Sequence, residues 1–381
     1  MKFIRKIIYV SGSRADFGLM LPTLNAINKC TQFKLNVICV GQHLNQNQGN
    51  TINDITSSKI PYTALEEHDY CDNDSINMSL LISNVIEKIS FLLQKKRPDV
   101  LIVLGDRVEM LGAAIAATVL NIPIIHIHGG ERSGSIDESI RHAISKLSHF
   151  HFVANTQSKE RLIKMGERQK FIFNVGAPGL SLPHLKDLLT ISELNKKIGL
   201  NLDEPTITVI FHPVVQDLRR LVQEINVVFK SIHELGLQTV VFLPNSDATG
   251  ALLETAIISS AKKIKNKTFI RHLNRHDYLS LLIHSKLMIG NSSSGIIESV
   301  NFGLPVINVG ERQNLRDRNK NVFDFNGYDI VKLKILITKL ITGEKMFYKN
   351  IYGDGRAPSK ILKILQKLKI NEKTLKKVNS Y

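Results

Sequence analysis

Val100-Leu-Ile-Val-Leu-Gly-Asp-Arg-Val-Glu109 sets the reading of this chain. Five apolar residues in a row read as a strand buried on both faces. Gly105-Asp-Arg107 then turns the chain into an amphipathic stretch at 108–120. Working outward, the same unit recurs, with strands expected at 7–10, 35–40, 122–127, 150–153 and 171–175 and helices at 19–30, 76–96, 137–147 and 158–165. A polar segment with Pro and Gly at 176–183 interrupts the rhythm. Beyond it, strands are expected at 207–211, 239–243, 268–270, 287–289 and 306–309, and helices at 217–235, 250–264, 277–284 and 295–301. Short apolar strands alternating with helices predict parallel sheets covered on both faces. The expected class is α/β, as two Rossmann-like, doubly wound domains (1–176 and 177–356) with ligands in the cleft that the strand C-termini face. Residues 357–381 are expected to form a helix, 357–368, packing back on the first domain, and then a frayed basic tail.

Composition narrows the function. The 381 residues suit two domains, and 43% hydrophobic with 22% charged residues is an ordinary globular balance. That excludes a disordered tail protein, a disulfide-stapled mini-protein and a collagen-like rod. The apolar run 111–127 contains Asn121, Pro123 and His126, so it reads as a helix followed by a strand rather than a membrane span. Cys30, Cys39 and Cys71 form no C-x-x-C pair, and no cleavable leader precedes the run at 3–10. Both point to the cytoplasm. The net charge of +16 invites an anionic partner, but aromatics are 6%, Trp is absent and much of the excess lies in 360–377. An anionic small substrate is expected rather than nucleic acid.

Five loops follow strand ends. Ser11-Gly-Ser-Arg-Ala-Asp-Phe-Gly18 joins a turn glycine to Arg14, whose planar fork suits phosphate, or which pairs with Asp16 in a plain turn. Asp106 stands where a base, an acid or a hydroxyl acceptor would, or it caps the next helix. His126-Ile-His-Gly-Gly-Glu131 places His126 and His128 on one face of an extended strand, and Gly129-Gly130 lets backbone approach a ligand. No third ligand follows at a zinc spacing, so no metal is expected. Ser135-Ile-Asp-Glu138 reads as a capping box and Asp137–Arg141 as a helix pair, yet Asp137 and Glu138 also bring carboxylates to a His-rich strand. His212-Pro-Val214 leaves a histidine at a proline-stopped strand end. In Gly290-Asn-Ser-Ser-Ser-Gly295, residues Asn291, Ser292, Ser293, Ser294 and Gly295 open a helix with N–H and hydroxyl donors for phosphate. Glu298, read into its first turn, suits ribose hydroxyls. Gly303-Leu-Pro-Val306 and Gly310-Glu-Arg312 strengthen the nucleotide reading.

Taken in order, G-S-R-A-D-F-G, L-G-D-R, H-I-H-G-G-E, I-D-E-S-I-R-H-A-I-S-K, F-H-P, I-G-N-S-S-S-G and I-Y-G-D-G resemble the hydrolysing UDP-N-acetylglucosamine 2-epimerases of bacterial sialic acid synthesis, from about Lys6 to Leu368. The resemblance implies the GT-B fold with the active site between its two domains. It implies conversion of UDP-GlcNAc and water to N-acetylmannosamine and UDP through 2-acetamidoglucal, with no cofactor. It places Ser292 and Ser293 on the diphosphate, Glu298 on the ribose, and Arg14 and His212 near the phosphates, with His212 also counted among the catalytic candidates. Gly18, Asn291, Ser294, Gly295 and Arg312 fall in the same substrate motifs. Asp106 matches a catalytic carboxylate, and Asp137 or Glu138 matches the acidic pair opening the I-R-H helix. One departure concerns His128, where non-hydrolysing relatives and the animal bifunctional enzyme carry a catalytic glutamate. The role falls to His128 or passes to Glu131, Asp137 or Glu138, so that Asp106 and the 128–138 region share the proton transfers. The expected partners are a UDP-sugar substrate and a second copy or more of the chain, as homodimer or homotetramer, with no nucleic acid and no membrane. The first alternative is the same chemistry on the UDP-linked 2,4-diacetamido-trideoxy sugar of the legionaminic acid route. A non-hydrolysing epimerase, against which H-G-G-E argues, a GT-B glycosyltransferase and a UDP-sugar-binding regulator without turnover complete the set.

Overall fold

The computed structural model describes residues 4–44, 52–65, 75–134, 136–182, 187–214, 217–244 and 248–380. Cys71, Ser135 and Pro183 lie outside them. The chain divides into two compact units: Met1–Arg132, Ile136–Ser181 and Tyr352–Tyr381 make the first, and Ser133–Ser135 with Leu182–Ile351 the second.

The first unit runs β1 (Arg5–Ser11), α1 (Arg14–Asn28), β2 (Phe33–Cys39), α2 (Ile52–Ser57), β3 (Tyr62–Ala64), α3 (Ser75–Lys96), β4 (Val100–Leu104), α4 (Val108–Val119), β5 (Ile124–Ile127), α5 (Asp137–Leu147), β6 (Phe150–Val153), α6 (Thr156–Lys164) and β7 (Ile172–Asn174). Its described strands form one seven-stranded parallel sheet in the order β3-β2-β1-β4-β5-β6-β7. Side chains on β1 alternate faces, and both faces are apolar. Ile7 and Tyr9 pack with Phe17, Met20 and Leu24 of α1, whereas Ile8 and Val10 pack with Val85, Ile89 and Leu93 of α3 and the alanines of α4. By length and composition α3 is apolar enough to cross a membrane. In the fold it lays that one stripe into the core and leaves Ile76, Leu80 and Phe91 exposed.

The second unit runs α7 (Ile191–Ile198), β8 (Thr206–Ile210), α8 (Leu218–Glu234), β9 (Gln238–Phe242), α9 (Ala248–Ala261), β10 (Lys267–Ile270), α10 (Arg275–His284), β11 (Leu287–Gly290), α11 (Ser293–Ile297), β12 (Val306–Val309), β13 (Val322–Phe325) and α12 (Ile330–Thr342). Its sheet is again parallel among the described strands, ordered β10-β9-β8-β11-β12-β13. Ile207 and Val209 face α8, α9 and α12, and Ile210 and Met288 face α10. In both sheets the order reverses beside the first strand, between β1 and β4 and between β8 and β11. Open parallel sheets bind ligands beyond the strand ends at such a switch.

Three expectations shift. The first unit extends past 176 to Ser181 and takes the chain back at Tyr352, ahead of 357. There the outgoing and returning segments bond to each other, Ala177 N donating to Tyr352 O at 2.7 Å, and Leu180 is buried. The helix expected at 295–301 is two pieces, α11 and a 3-10 turn at Ser299–Phe302, so Glu298 lies at the end of α11 rather than in a first turn. The tail is ordered. α13 (Ala357–Lys367) buries Ala357, Ile361 and Leu365 in the first unit's core, and α14 (Glu372–Leu375) follows, capped by the Asn371 side chain.

Candidate functional site

Both switch points carry loops that the sequence singles out. In the first unit, the turn after β4 puts Gly105 at φ +76. Asp106 does not cap α4, whose N-cap is Arg107 with no side-chain bond. Its carboxylate instead pairs with the Arg141 guanidinium, which is 2% exposed and also donates to the Glu131 carbonyl at 2.9 Å. Arg141 thus reaches from the helix at Asp137–Leu147 to the turn after β4.

β5 ends at Ile127, and His128 takes φ +64, a left-handed conformation few side chains adopt. Strand alternation therefore does not carry to His128, and the two histidines do different work. His126 is fully buried, with Nε2 2.7 Å from the Gly105 carbonyl and Nδ1 3.0 Å from Ser145 Oγ. A carbonyl only accepts, so Nε2 carries the proton and Nδ1 accepts from the Ser145 hydroxyl. Burial pushes the His126 pKa down to about 3, which keeps the ring a neutral strut. His128 is partly exposed, and its Nδ1 hydrogen-bonds the carboxylate of Glu131, itself 2% exposed. That contact leaves Nε2 as the ring atom available for proton transfer. Gly129 is needed here because a Cβ would meet His126 Nδ1 and Ser145 Oγ at 2.9 Å.

Asp137 and Glu138 open α5, the helix that also bears Arg141 and Ser145. The helix N-cap is Ile136 without a side-chain bond. The capping box read from the sequence turns on Ser135, which lies outside the described residues. Glu138 sits 3.7 Å from both Arg132 and His142. At the β1 end, Ser13 caps α1 in a reciprocal box with Asp16, and Arg14 pairs with Asp54 at 2.5 Å rather than with Asp16. Gly18 lies inside α1, and a Cβ there would meet nothing within 4 Å.

In the second unit, Asn291 is 1% exposed and bonds both ways to His212, Oδ1 accepting from its N–H at 2.7 Å and Nδ2 donating to its carbonyl at 2.9 Å. Arg312 and Gln313 both donate to the Asn291 carbonyl, at 3.1 and 3.2 Å. His212 Nε2 lies 3.3 Å from Ser292 Oγ, and burial with Arg312 nearby lowers its pKa, so the ring is neutral. Gly290, at φ +142, lets β11 run against β8, because a Cβ would overlap the Ile210 carbonyl oxygen. Ser292 caps α11, accepting from Ser294 N, and Ser293 and Gly295 begin that helix. Glu298, 3% exposed, accepts from Ser294 Oγ at 2.6 Å and pairs with Arg275. Ser294 spends its proton on Glu298, so Tyr278 OH donates to Ser294 at 2.5 Å. Arg275 and Tyr278 escaped the sequence reading, and their place in α10, one helix before the serine loop, was the only signal. Among the described residues, no group of three or more His, Cys, Asp or Glu could hold a metal ion.

Two parallel, doubly wound sheets with loaded switch points define a GT-B architecture. The crystal structure of a UDP-GlcNAc 2-epimerase from Neisseria meningitidis bound to UDP-GlcNAc matches it with a TM-score of 0.82 at 21% identity, covering 95% of this chain and 100% of that one. Residues 25–366 match the family model for UDP-N-acetylglucosamine 2-epimerase. The chain is 40% identical over 379 residues to a UDP-N,N'-diacetylbacillosamine 2-epimerase (hydrolyzing) of Legionella pneumophila, covering 99% of this chain and 100% of that protein. It is 35% identical over 324 residues to a UDP-N-acetylglucosamine 2-epimerase of Neisseria meningitidis, covering 84% and 83%. The chain belongs to the UDP-N-acetylglucosamine 2-epimerase family.

Proposed function

We propose that this protein is a hydrolysing 2-epimerase whose substrate is a UDP-linked 2,4-diacetamido-2,4,6-trideoxy sugar of the diacetylbacillosamine type. The carrying observation is the 40% identity along both full lengths to the Legionella enzyme, against 35% over a shorter stretch to the Neisseria one. This reverses the order read from sequence, where UDP-GlcNAc of the sialic acid route came first; UDP-GlcNAc is the second reading.

In this reaction a base takes the C2 proton as the C1–O bond breaks, and UDP leaves with the electron pair. Water then adds across the resulting glycal, its oxygen to C1 and a proton to the opposite face of C2. The free manno sugar and UDP are the products. The C2 proton is weakly acidic, so the base must be placed against it while the leaving diphosphate is stabilised. Asp106, held by Arg141, and the His128–Glu131 dyad supply two proton-transfer groups on neighbouring strand ends. Asp137 and Glu138 at the head of α5 are the further acid–base candidates. In the second unit, Ser292 and Ser293 take the diphosphate, Glu298 takes the ribose hydroxyls, and His212 and Arg312 line the phosphate end. In the first unit, Arg14 and Gly18 are the further substrate-binding candidates. Catalysis needs no cofactor. The exposed Ile76, Leu80 and Phe91 of α3 favour a homo-oligomer, which light scattering tests.

The deciding experiment is proton and phosphorus NMR in D2O with each UDP-sugar. Free UDP and a manno sugar deuterated at C2, formed faster from the diacetamido substrate, is the expected result. Faster turnover of UDP-GlcNAc overturns the substrate assignment, and a UDP-linked manno product overturns hydrolysis.

A further inference from the structure

The segment after α13 is rich in lysine, but Lys377 is not a solvated surface group. Its side chain is 21% exposed. The ammonium donates to the carbonyls of Ser145 at 3.1 Å, Lys146 at 2.6 Å and Ser148 at 2.7 Å. These lie at the C-terminal end of α5, where a helix leaves carbonyls without i+4 partners and carries the negative end of its dipole. The same ammonium reaches Glu167 at 2.9 Å. Glu167 is 4% exposed and also takes Lys146 at 2.9 Å and His151 at 3.0 Å. The neighbouring tail residues are fastened too, Asn379 Oδ1 accepting from Lys146 at 2.8 Å and Ser380 N donating to the Gly166 carbonyl at 2.9 Å.

The other end of α5 bears Asp137, Glu138 and Arg141, and Ser145, whose carbonyl Lys377 holds, uses its hydroxyl on His126. His126 in turn holds the Gly105 carbonyl, next to Asp106. A contiguous path of hydrogen bonds therefore joins the tail to the proton-transfer groups.

We infer that segment 371–380 is a strap that positions α5, with Lys377 as the positioning residue that seats the helix end and keeps Arg141 and Ser145 aligned on Asp106 and His126. The inference rests on the proposed catalytic role of α5, but its structural arm can be read without turnover. In hydrogen-exchange mass spectrometry of the unliganded protein, Lys377→Met and a chain stopping after Ile370 should each speed exchange of the 140–148 amides about tenfold. Strand β8 should stay unchanged, and Lys377→Arg should stay close to the parent. In turnover, Lys377→Met should lower kcat about tenfold with KM and UDP affinity within twofold, and Lys377→Arg should recover most of the loss. Unchanged exchange in 140–148 overturns the strap whatever the substrate. A loss of protection spread evenly over both units also overturns it, because Lys377 would then serve only global stability. A parent protein inactive on every UDP-sugar tried would count against the proposed function, and the exchange result would still decide the strap.

Discussion

Arg141 holds the carboxylate of Asp106 across 35 positions of sequence, and its second amine donates to the Glu131 carbonyl at 2.9 Å. One buried fork thus ties the β4 turn to the end of the histidine loop. Asp106→Asn should lower kcat about 10²–10⁴-fold while UDP affinity holds, as expected for a lost proton-transfer group. Arg141→Lys keeps the charge and loses the fork, and should cost kcat roughly tenfold or more. Full activity in folded Asp106→Asn, measured by UDP release, would remove Asp106 from the mechanism.

His128 and Glu131 should behave as one unit. His128→Asn and Glu131→Gln are each expected to lower kcat at least about tenfold, with the double variant little worse than His128→Asn alone. Groups that act together are non-additive in a double-mutant cycle. Additive losses would show that Glu131 acts apart from His128.

Acid should destabilise the fold through His126. Its folded pKa is pushed down to about 3 by burial, whereas the unfolded side chain titrates near 6.5. Between those values the unfolded state binds the extra proton, so stability falls as pH drops through that window and is fully present above it. The expected slope approaches about 1.4 kcal/mol per pH unit at the middle of the window. Glu167 adds to the loss below its unfolded value. Burial alone would raise its pKa, but hydrogen bonds from His151 and Lys146 outweigh that and hold it at about 2. Urea unfolding from pH 4 to 7 measures the slope, and His126→Asn should flatten it.

Glu298 should confer preference for ribose. Its substitution by Gln should weaken UDP binding about tenfold and leave 2′-deoxy-UDP nearly unaffected, read by calorimetry. Equal weakening of both nucleotides would assign Glu298 to holding Ser294 and Arg275 instead.

Central strands were legible in sequence for a physical reason. All five residues of Val100–Leu104 are buried, so the apolar run is continuous, whereas the edge strands Tyr62–Ala64 and Val322–Phe325 are half-exposed, carry no such run and were missed. α12 was missed despite its Asp329 cap and apolar spacing, a signal that was there to read. The site loops were legible because Gly and polar residues interrupt apolar runs at strand ends. Their pairings were not. Spacing offered Arg14 to Asp16, but the fold gives it Asp54, and Arg141 takes Asp106 from 35 positions away, since sequence distance says nothing about which strand ends become neighbours. The tail read as frayed because a lysine run looks the same whether it meets water or a helix end.

Asn291 closes two hydrogen bonds onto the backbone of His212, 79 residues earlier, and two further side chains grip its carbonyl. The two turns therefore move as a single part. A lesion that tilts the turn at 212 should be relieved by second-site changes around 291 and 312 rather than by changes at its sequence neighbours, so a genetic screen for revertants would recover this hydrogen-bonded pair as linked positions.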